Sequence, residues 1–164
     1  MQETQREPVP RTDAGELATA IAFLSFQRHC VLKKAEGLTE EQLRRSLVPS
    51  GTSILGLIRH LAGAERFWFT HTVGGGDEPA DDALSMTVPP GLAVAEVIED
   101  YRAAIAASDL VVELGGSPEA LTVIPIDGRR KTLRWVIAHM ATETARHAGH
   151  ADIIREQLDG ATGR

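Results

Sequence analysis

Four potential metal ligands recur at helical spacing in the last third of the sequence. His139, Glu143, His147 and His150 fall within one narrow stripe if the chain forms a helix that advances about 100° per residue. Glu143 and His147 are four residues apart, so on a helix their side chains lie on adjacent turns and can bind one metal ion. A third ligand must come from another helix. We expect it to be His60, which lies in the apolar stripe of an earlier predicted helix.

Two histidines and one carboxylate form a facial set of ligands that leaves coordination positions open for water or substrate. Such a set suits a catalytic Zn²⁺ ion, and also a non-haem Fe²⁺ or a Ni²⁺ ion. The alternative is that His60, Glu143 and His147 are ordinary polar residues of packed helices, since Glu and His are common helix residues. The conjunction of the three residues favours a metal site.

Three further residues of the last predicted helix are candidates for supporting roles. His150, three residues after His147, is a possible alternative ligand, a neighbour of a ligand, or a group that contacts substrate. His139 and Asp152 are candidates for orienting the ligands, because metal-bound imidazoles usually donate their second N–H to an oxygen. For His139 the alternative is a partly buried polar residue outside the site.

Other reactive side chains fit such a site less well. Cys30, next to His29, is expected to be a small buried residue, because nothing in the sequence indicates a lowered thiol pKa. His71 is eleven residues from His60, which is about 16 Å along a helix axis. His71 therefore cannot join the same metal site.

A basic cluster at residues 129–134 precedes the last predicted helix, and Arg130 and Arg134 belong to it. A guanidinium group binds carboxylates in a bidentate geometry. These two side chains are therefore candidates for contacting an acidic thiol or a substrate carboxylate. A solvated helix cap is the alternative.

Helical periodicity dominates the rest of the sequence. Apolar residues at i, i+3/i+4 and i+7 predict four long amphipathic helices, at about residues 13–35, 53–72, 92–114 and 132–158. We expect a capping box of Asp13 with Glu16 on the first helix, and one of Thr39 with Gln42 on a short helix that ends near residue 45. Residues 74–90, rich in Gly, Asp and Pro, predict a long loop between the second and third long helices. The predicted fold is all-α, with a four-helix bundle as its architecture.

Length and composition limit the class of protein. The 164 residues correspond to one domain, which we place at residues 13–160 after a flexible N-terminal segment of residues 1–12. No apolar run reaches the roughly 18 residues of a membrane span. The polar N-terminus lacks the apolar stretch of a secretory signal, so we expect a cytoplasmic protein.

Charge and cysteine content further limit the class of protein and the kind of site. The net charge of −6 argues against nucleic acid as the main partner. The single cysteine excludes an internal disulfide and a Cys-rich zinc site.

Two stretches of the sequence resemble a known family. They are LIRHLAGAERFWF at residues 57–69 and LRWVIAHM at residues 133–140, which continues through ETARHAGHAD at residues 143–152. The pattern is similar to that of the DinB-like superfamily of helical-bundle metalloproteins, which includes mycothiol-dependent maleylpyruvate isomerase and the bacillithiol transferases. The resemblance covers the chain from about residue 13 to residue 158. It implies that His60 is the ligand from the second helix and that Glu143 and His147 are the pair from the fourth. The first member of that pair is His in many relatives and Glu in the isomerase.

The resemblance implies an enzyme that depends on a divalent metal, Zn²⁺ first, with Ni²⁺ or Fe²⁺ as alternatives. We expect it to use a low-molecular-weight thiol such as mycothiol, as a metal-bound thiolate, for S-transfer to a small electrophile or for isomerisation of one. A metal-dependent hydrolase that uses bound water at the same site is one alternative. A non-enzymatic, stress-related metal-binding protein is another. Exposed helix faces make a homodimer the expected assembly.

Overall fold

The computed structural model of the protein describes residues 7–163, most of which are helical. The five α-helices in this range are α1 (Glu16–Lys33), α2 (Glu40–Arg44), α3 (Ile54–Glu65), α4 (Val94–Gly115) and α5 (Leu133–Asp159). Between residues 7 and 163 there are two isolated β-bridges but no β-strand. The predicted all-α class is confirmed. In the same range, no helix has the length and apolar character needed to cross a membrane.

Three of the helices begin at hydroxyl side chains. The N-cap residues of α2, α3 and α5 each accept a hydrogen bond from a backbone N–H of the first turn, and they are Thr39, Ser53 and Thr132. Such a cap satisfies one of the N–H groups that a helix start leaves unpaired. The predicted capping box of Thr39 with Gln42 is confirmed.

The start of α1 differs from the prediction. Its N-cap is Gly15 and makes no side-chain cap hydrogen bond, so the predicted capping box of Asp13 with Glu16 is wrong. The Glu16 carboxylate is used elsewhere, because it accepts hydrogen bonds from the guanidinium group of Arg134 on α5, with Nη2 3.0 Å from Oε2. A tertiary ion pair thus replaces the local cap.

The N-terminal segment predicted to be flexible, residues 1–12, lies partly outside the described residues, which begin at residue 7. In the described part, the Glu7 carboxylate pairs with Lys33 and lies 3.3 Å from Nε2 of His29. Both partners belong to α1, so Glu7 contacts the first helix.

The second long predicted helix changes its geometry halfway. The α-helical part ends at Glu65, and a π-helix, Arg66–Val73, continues it. At its end the backbone N–H of Gly74 donates to the carbonyl of Phe69, five residues earlier, at 2.9 Å. π-Helical turns are rare and frequently accompany functional sites.

Helix α3 lies at the centre of the packing and contacts both α4 and α5, while α1 packs against α5. Ten of the twelve residues of α3 are buried, and the two that are partly exposed are Arg59 and His60. Burial on this scale holds the helix in one position, because apolar contacts with its neighbours fix its rotation. His60 therefore projects from a rigid element.

A buried ion pair joins α1 to the end of α3. The guanidinium of Arg28 donates to both carboxylate oxygens of Glu65, with Nε 2.7 Å from Oε1 and Nη2 2.6 Å from Oε2. Its third nitrogen, Nη1, lies 2.7 Å from Oδ1 of Asp109 on α4. Arg28 is 2% exposed and Glu65 is fully buried, so each charge depends on the other for compensation.

Candidate metal centre

His60 of α3 meets Glu143 and His147 of α5 where the two helices pack together. The Oε1 atom of Glu143 lies 3.4 Å from Nε2 of His60 and 3.0 Å from Nε2 of His147. Potential ligand atoms of the three residues all lie within 4.8 Å of one another. Because Glu143 and His147 lie on adjacent turns of one helix face, both side chains reach the same point. The structure thus brings together the three residues that the sequence analysis selected.

A backbone contact fixes the ring of His60. Its Nδ1 atom lies 2.7 Å from the carbonyl oxygen of Leu84, and since a carbonyl oxygen only accepts, Nδ1 is the donor. A neutral His60 then presents an unprotonated Nε2 to the carboxylate oxygen of Glu143, 3.4 Å away. Two acceptors at this distance repel each other unless they share a cation, which is either a second proton on the ring or a metal ion. Metal-bound imidazoles are typically held in this way, with the second N–H donated to an oxygen.

Two glycines let the segment between the π-helix and α4, residues 74–93 and called the loop from here on, approach α3 closely enough for this contact. Gly56 and Gly63 lie on either side of His60 along the helix. A Cβ atom added to Gly56 would lie 2.2 Å from the Met86 carbonyl oxygen, and one added to Gly63 would lie 2.0 Å from that of Ala83. Both distances are far shorter than van der Waals contact. Only glycine therefore fits at these positions without displacing the loop.

Arg59 anchors the same segment of the loop. Its Nη1 donates to the carbonyl oxygens of Asp82 and Ser85, both at 3.1 Å, and its Nη2 donates to the Asp82 carboxylate at 2.6 Å. The residue that precedes His60 thus holds the segment whose backbone orients His60.

His147 is the most buried of the three residues, and His150 contacts its other ring nitrogen. The Nε2 atom of His147 faces Glu143, whereas its Nδ1 lies 3.4 Å from Nδ1 of His150. His150 itself is exposed. Among the described residues, the group that can share one ion consists of His60, Glu143 and His147, so His150 lies next to this group rather than in it.

The electrostatics of the site favour the ligating forms of two side chains. Burial acts to raise the pKa of Glu143, but where ring protons fill the two contacts, hydrogen bonds from His60 and His147 outweigh it and hold that pKa below its ordinary value. Burial lowers the pKa of His147, although the Glu143 carboxylate acts in the opposite direction. An ionised carboxylate and a neutral imidazole are the forms that bind a metal.

The donor set fits a divalent cation. Two imidazole nitrogens and one carboxylate oxygen are ligands that Zn²⁺, Fe²⁺ and Ni²⁺ all accept. Three protein ligands leave a coordination position for a small molecule, whereas structural zinc sites are usually closed by four. The side chains of His60 and Glu143 are 15% and 19% exposed, so a small molecule can reach them from solvent.

His139 and Asp152, which the sequence analysis considered as orienting groups, have other partners. The His139 ring packs against Trp68 and Trp135, with ring centroids 4.4 Å and 5.4 Å away. The Asp152 carboxylate pairs with Nζ of Lys34 at 2.6 Å. The oxygen that orients the His60 ring is instead the backbone carbonyl oxygen of Leu84.

Cys30 and His71 lie where the sequence predicts. Cys30 is 2% exposed and belongs to the hydrophobic core. The Nδ1 atom of His71 donates to the Gly76 carbonyl oxygen at 2.8 Å, in the π-helix region and away from His60.

The two arginines predicted to contact a thiol or a carboxylate are engaged by protein groups. Arg130 donates to the carbonyl oxygen of Thr122, and Arg134 donates to the carboxylates of Glu16 and Glu119. Arg134 precedes Glu143 by nine residues on α5, which is about 13 Å along the helix axis. A contact of either arginine with a thiol stays a prediction.

The role of the loop backbone was missed by the sequence analysis. The sequence feature that indicates this role is the pair Gly56 and Gly63, seven residues apart in the helix that carries His60. Glycine inside a helix costs about 1 kcal/mol relative to alanine. Two such residues on either side of a candidate ligand indicate close approach of another backbone.

Comparison with known proteins identifies the family of the chain. The family model of the mycothiol-S-transferases matches residues 19–160, a range that includes all three residues of the candidate site. Among curated proteins, no relative matches the chain. The family match covers most of the chain and bears out the resemblance to DinB-like proteins. The chain belongs to the mycothiol-S-transferase family, a DinB-like family.

Proposed function

We propose that the protein is a divalent-metal-dependent thiol transferase that uses mycothiol and acts on a small electrophile, by S-transfer or by isomerisation. In this proposal His60, Glu143 and His147 hold the metal. The observation that carries it is the His60 ring, which Leu84 holds at Nδ1 and which presents Nε2 to the Glu143 carboxylate. Membership of the mycothiol-S-transferase family supports the thiol and the class of reaction.

A divalent ion at this site would lower the pKa of a thiol and stabilise the nucleophilic thiolate at neutral pH. The residues of the chain do the positioning. The carbonyl of Leu84 prevents the His60 ring from turning, and Glu143 contributes a negative charge shared with both histidines. The burial of His147, 6% exposed, excludes water from one side of the site.

Zn²⁺ is the proposed ion because the donor set matches catalytic zinc sites, with Ni²⁺ or Fe²⁺ as alternatives. We propose α1, α3 with the π-helix, α4 and α5 as the four helices of a DinB-like bundle, with residues 74–93 as its long loop. A cytoplasmic location and a homodimer also belong to the proposal.

The test is thiol-dependent turnover. Zinc-loaded protein is mixed with 1-chloro-2,4-dinitrobenzene and either mycothiol, glutathione or no thiol, and product is measured by absorbance. We expect turnover with mycothiol only, and a loss of about 100-fold or more in His147→Ala, because a lost ligand costs at least as much as a lost supporting partner. His29→Ala is the matched control, since it removes an imidazole that is 57% exposed on α1.

The same experiment separates the alternatives. A hydrolase at this site would convert an ester substrate, offered in a parallel assay, without any thiol. Bound metal with neither activity would favour a non-enzymatic metal-binding protein.

A further inference from the structure

A cleft of about 290 Å³ opens beside the candidate metal centre. The segment before α3 and the last turns of α5 form its walls, which consist of Val48, Ser50, Thr52, His150, Ile153 and Ile154. His150 also contacts His147, with 3.4 Å between their Nδ1 atoms. One side chain thus belongs both to the wall of the cleft and to the surroundings of the metal centre.

The walls of this cleft are apolar although they are open to solvent. Val48 is 40% exposed and Ile153 is 60% exposed, whereas Ile154 is only 3% exposed. The two hydroxyl groups in the wall are hydrogen-bonded to each other, with Oγ of Ser50 2.9 Å from Oγ1 of Thr52. An apolar group that entered the cleft would cover exposed aliphatic surface without breaking that hydrogen bond.

The chemistry of the walls distinguishes between the two reactants. Of the six lining residues, His150 alone is titratable. A polar or charged group buried against such walls would lose its hydrogen bonds to water and find few partners. The hydroxyl-rich part of mycothiol is therefore a poor occupant, and an apolar part of the electrophile is a good one.

The size of the cleft limits the occupant. Pockets for drug-sized ligands usually span about 300–1,000 Å³, and this cleft, at about 290 Å³, lies just below that range. It has room for a short alkyl chain or a single ring.

We propose that this cleft receives the apolar group of the electrophile, a short alkyl chain or a single ring, and that Ile153 and Val48 determine the preference for it. The inference rests on the proposed transferase function, because the electrophile is its second substrate. The reactive carbon then lies on the side of His147 and the apolar group extends past His150.

A homologous series of electrophiles tests the cleft. Zinc-loaded protein with mycothiol is assayed with N-alkyl chloroacetamides from methyl to butyl. We expect kcat/KM to rise about threefold to fourfold for each methylene, as burial of a CH₂ group predicts. In Ile153→Asn the rise should largely disappear with the zinc content unchanged.

The matched control is Leu114→Asn, which changes an apolar residue of α4 that is 78% exposed. It should keep the wild-type rise. If Ile153→Asn perturbs the zinc content, the milder Ile153→Ala should flatten the rise at full zinc content. An equal rise in the Ile153 variants and the control would overturn the cleft assignment and leave the transferase function intact.

A binding experiment without thiol separates the two proposals. The non-reactive N-butylacetamide is titrated into the zinc-loaded protein, and the NMR shifts of the isoleucine and valine methyl groups are followed. Saturable shifts of Ile153 and Val48 in the wild type and in Leu114→Asn, and the loss of the Val48 shift in Ile153→Asn, would support the cleft even if no electrophile were turned over. The absence of such shifts in the wild type would overturn it.

Discussion

The Nδ1 atom of His60 donates a hydrogen bond to the carbonyl oxygen of Leu84 across 2.7 Å. His60 lies on α3 and Leu84 lies in the segment between the π-helix and α4, 24 residues later. The contact makes this segment part of the candidate metal centre, although none of its side chains is proposed as a ligand. It also selects the tautomer of His60 in which Nε2 can bind a metal.

The first prediction concerns the glycine that admits the loop. In Gly63→Ala the added Cβ would lie 2.0 Å from the Ala83 carbonyl oxygen, so the loop must move away from α3. The hydrogen bond from Nδ1 of His60 to the Leu84 carbonyl should then break. We expect zinc affinity to fall by about 10-fold to 100-fold, the usual effect of removing a group that orients a ligand. Competition with a chromophoric chelator measures this affinity.

Gly149→Ala is the control for that substitution. A Cβ at Gly149 would meet no heavy atom within 4 Å, and the residue lies inside α5. Its zinc affinity should equal that of the wild type, with a stability gain of up to about 1 kcal/mol from helix propensity. Wild-type zinc affinity in Gly63→Ala would contradict the role assigned to the loop.

The second prediction concerns the ligands themselves. His60→Ala and His147→Ala should each remove most of the bound metal, because each takes away one of three donors. Far-ultraviolet circular dichroism should change little, since the hydrophobic core is built from other residues. Elemental analysis of the purified, untagged proteins measures the metal, with His29→Ala as the control. Full metal content in His147→Ala would rule out the site.

The third prediction concerns stabilisation by zinc. An ion that binds only the folded state raises stability by about 2.7 kcal/mol at a concentration 100 times its Kd. For a chain of this length that corresponds to a rise in Tm of about 5–10 °C. Differential scanning fluorimetry with and without zinc measures the shift. Glu143→Gln, which keeps the size of the side chain, should abolish most of it, and an undiminished shift would show that zinc binds elsewhere.

The fourth prediction concerns the buried ion pair in the core. Arg28→Met leaves the Glu65 carboxylate without its bidentate partner, and we expect a loss of about 3–5 kcal/mol in the free energy of unfolding. Glu65→Leu should cost a similar amount. The double variant should cost clearly less than the sum, because no uncompensated charge of this pair remains. Urea denaturation of the wild type, the two single variants and the double variant measures the free energies of unfolding for this double-mutant cycle. Strict additivity would mean that the pair is not energetically coupled.

The helices were predictable because their apolar residues follow the helical period. The last helix was expected at about residues 132–158 and spans Leu133–Asp159, and the third was expected at about 92–114 and spans Val94–Gly115. The change to π-helix after Glu65 was not predicted, because the apolar stripe runs on through Trp68 without a break. An extra residue per turn leaves no clear trace in such a short pattern.

Side-chain spacing was enough to predict the two candidate ligands on α5. Four residues of separation place Glu143 beside His147 on any helix. The partner of Asp152 was not predictable, because Lys34 follows α1, more than 100 residues earlier in the chain. The Leu84 carbonyl was not predictable either, since every residue has a carbonyl group and side-chain patterns do not show which one meets a ring.

The close packing of the loop on α3 also has an evolutionary consequence. The atom that holds His60 belongs to the main chain, and so do the oxygens of Ala83 and Met86 that pack on the two glycines. Substitutions at Ala83 or Leu84 leave these oxygens in place, whereas an insertion or deletion between residues 82 and 86 moves them. Ala83 and Leu84 are thus free to vary in residue type, whereas the length of the segment is constrained, because the path of the main chain sets the orientation of His60.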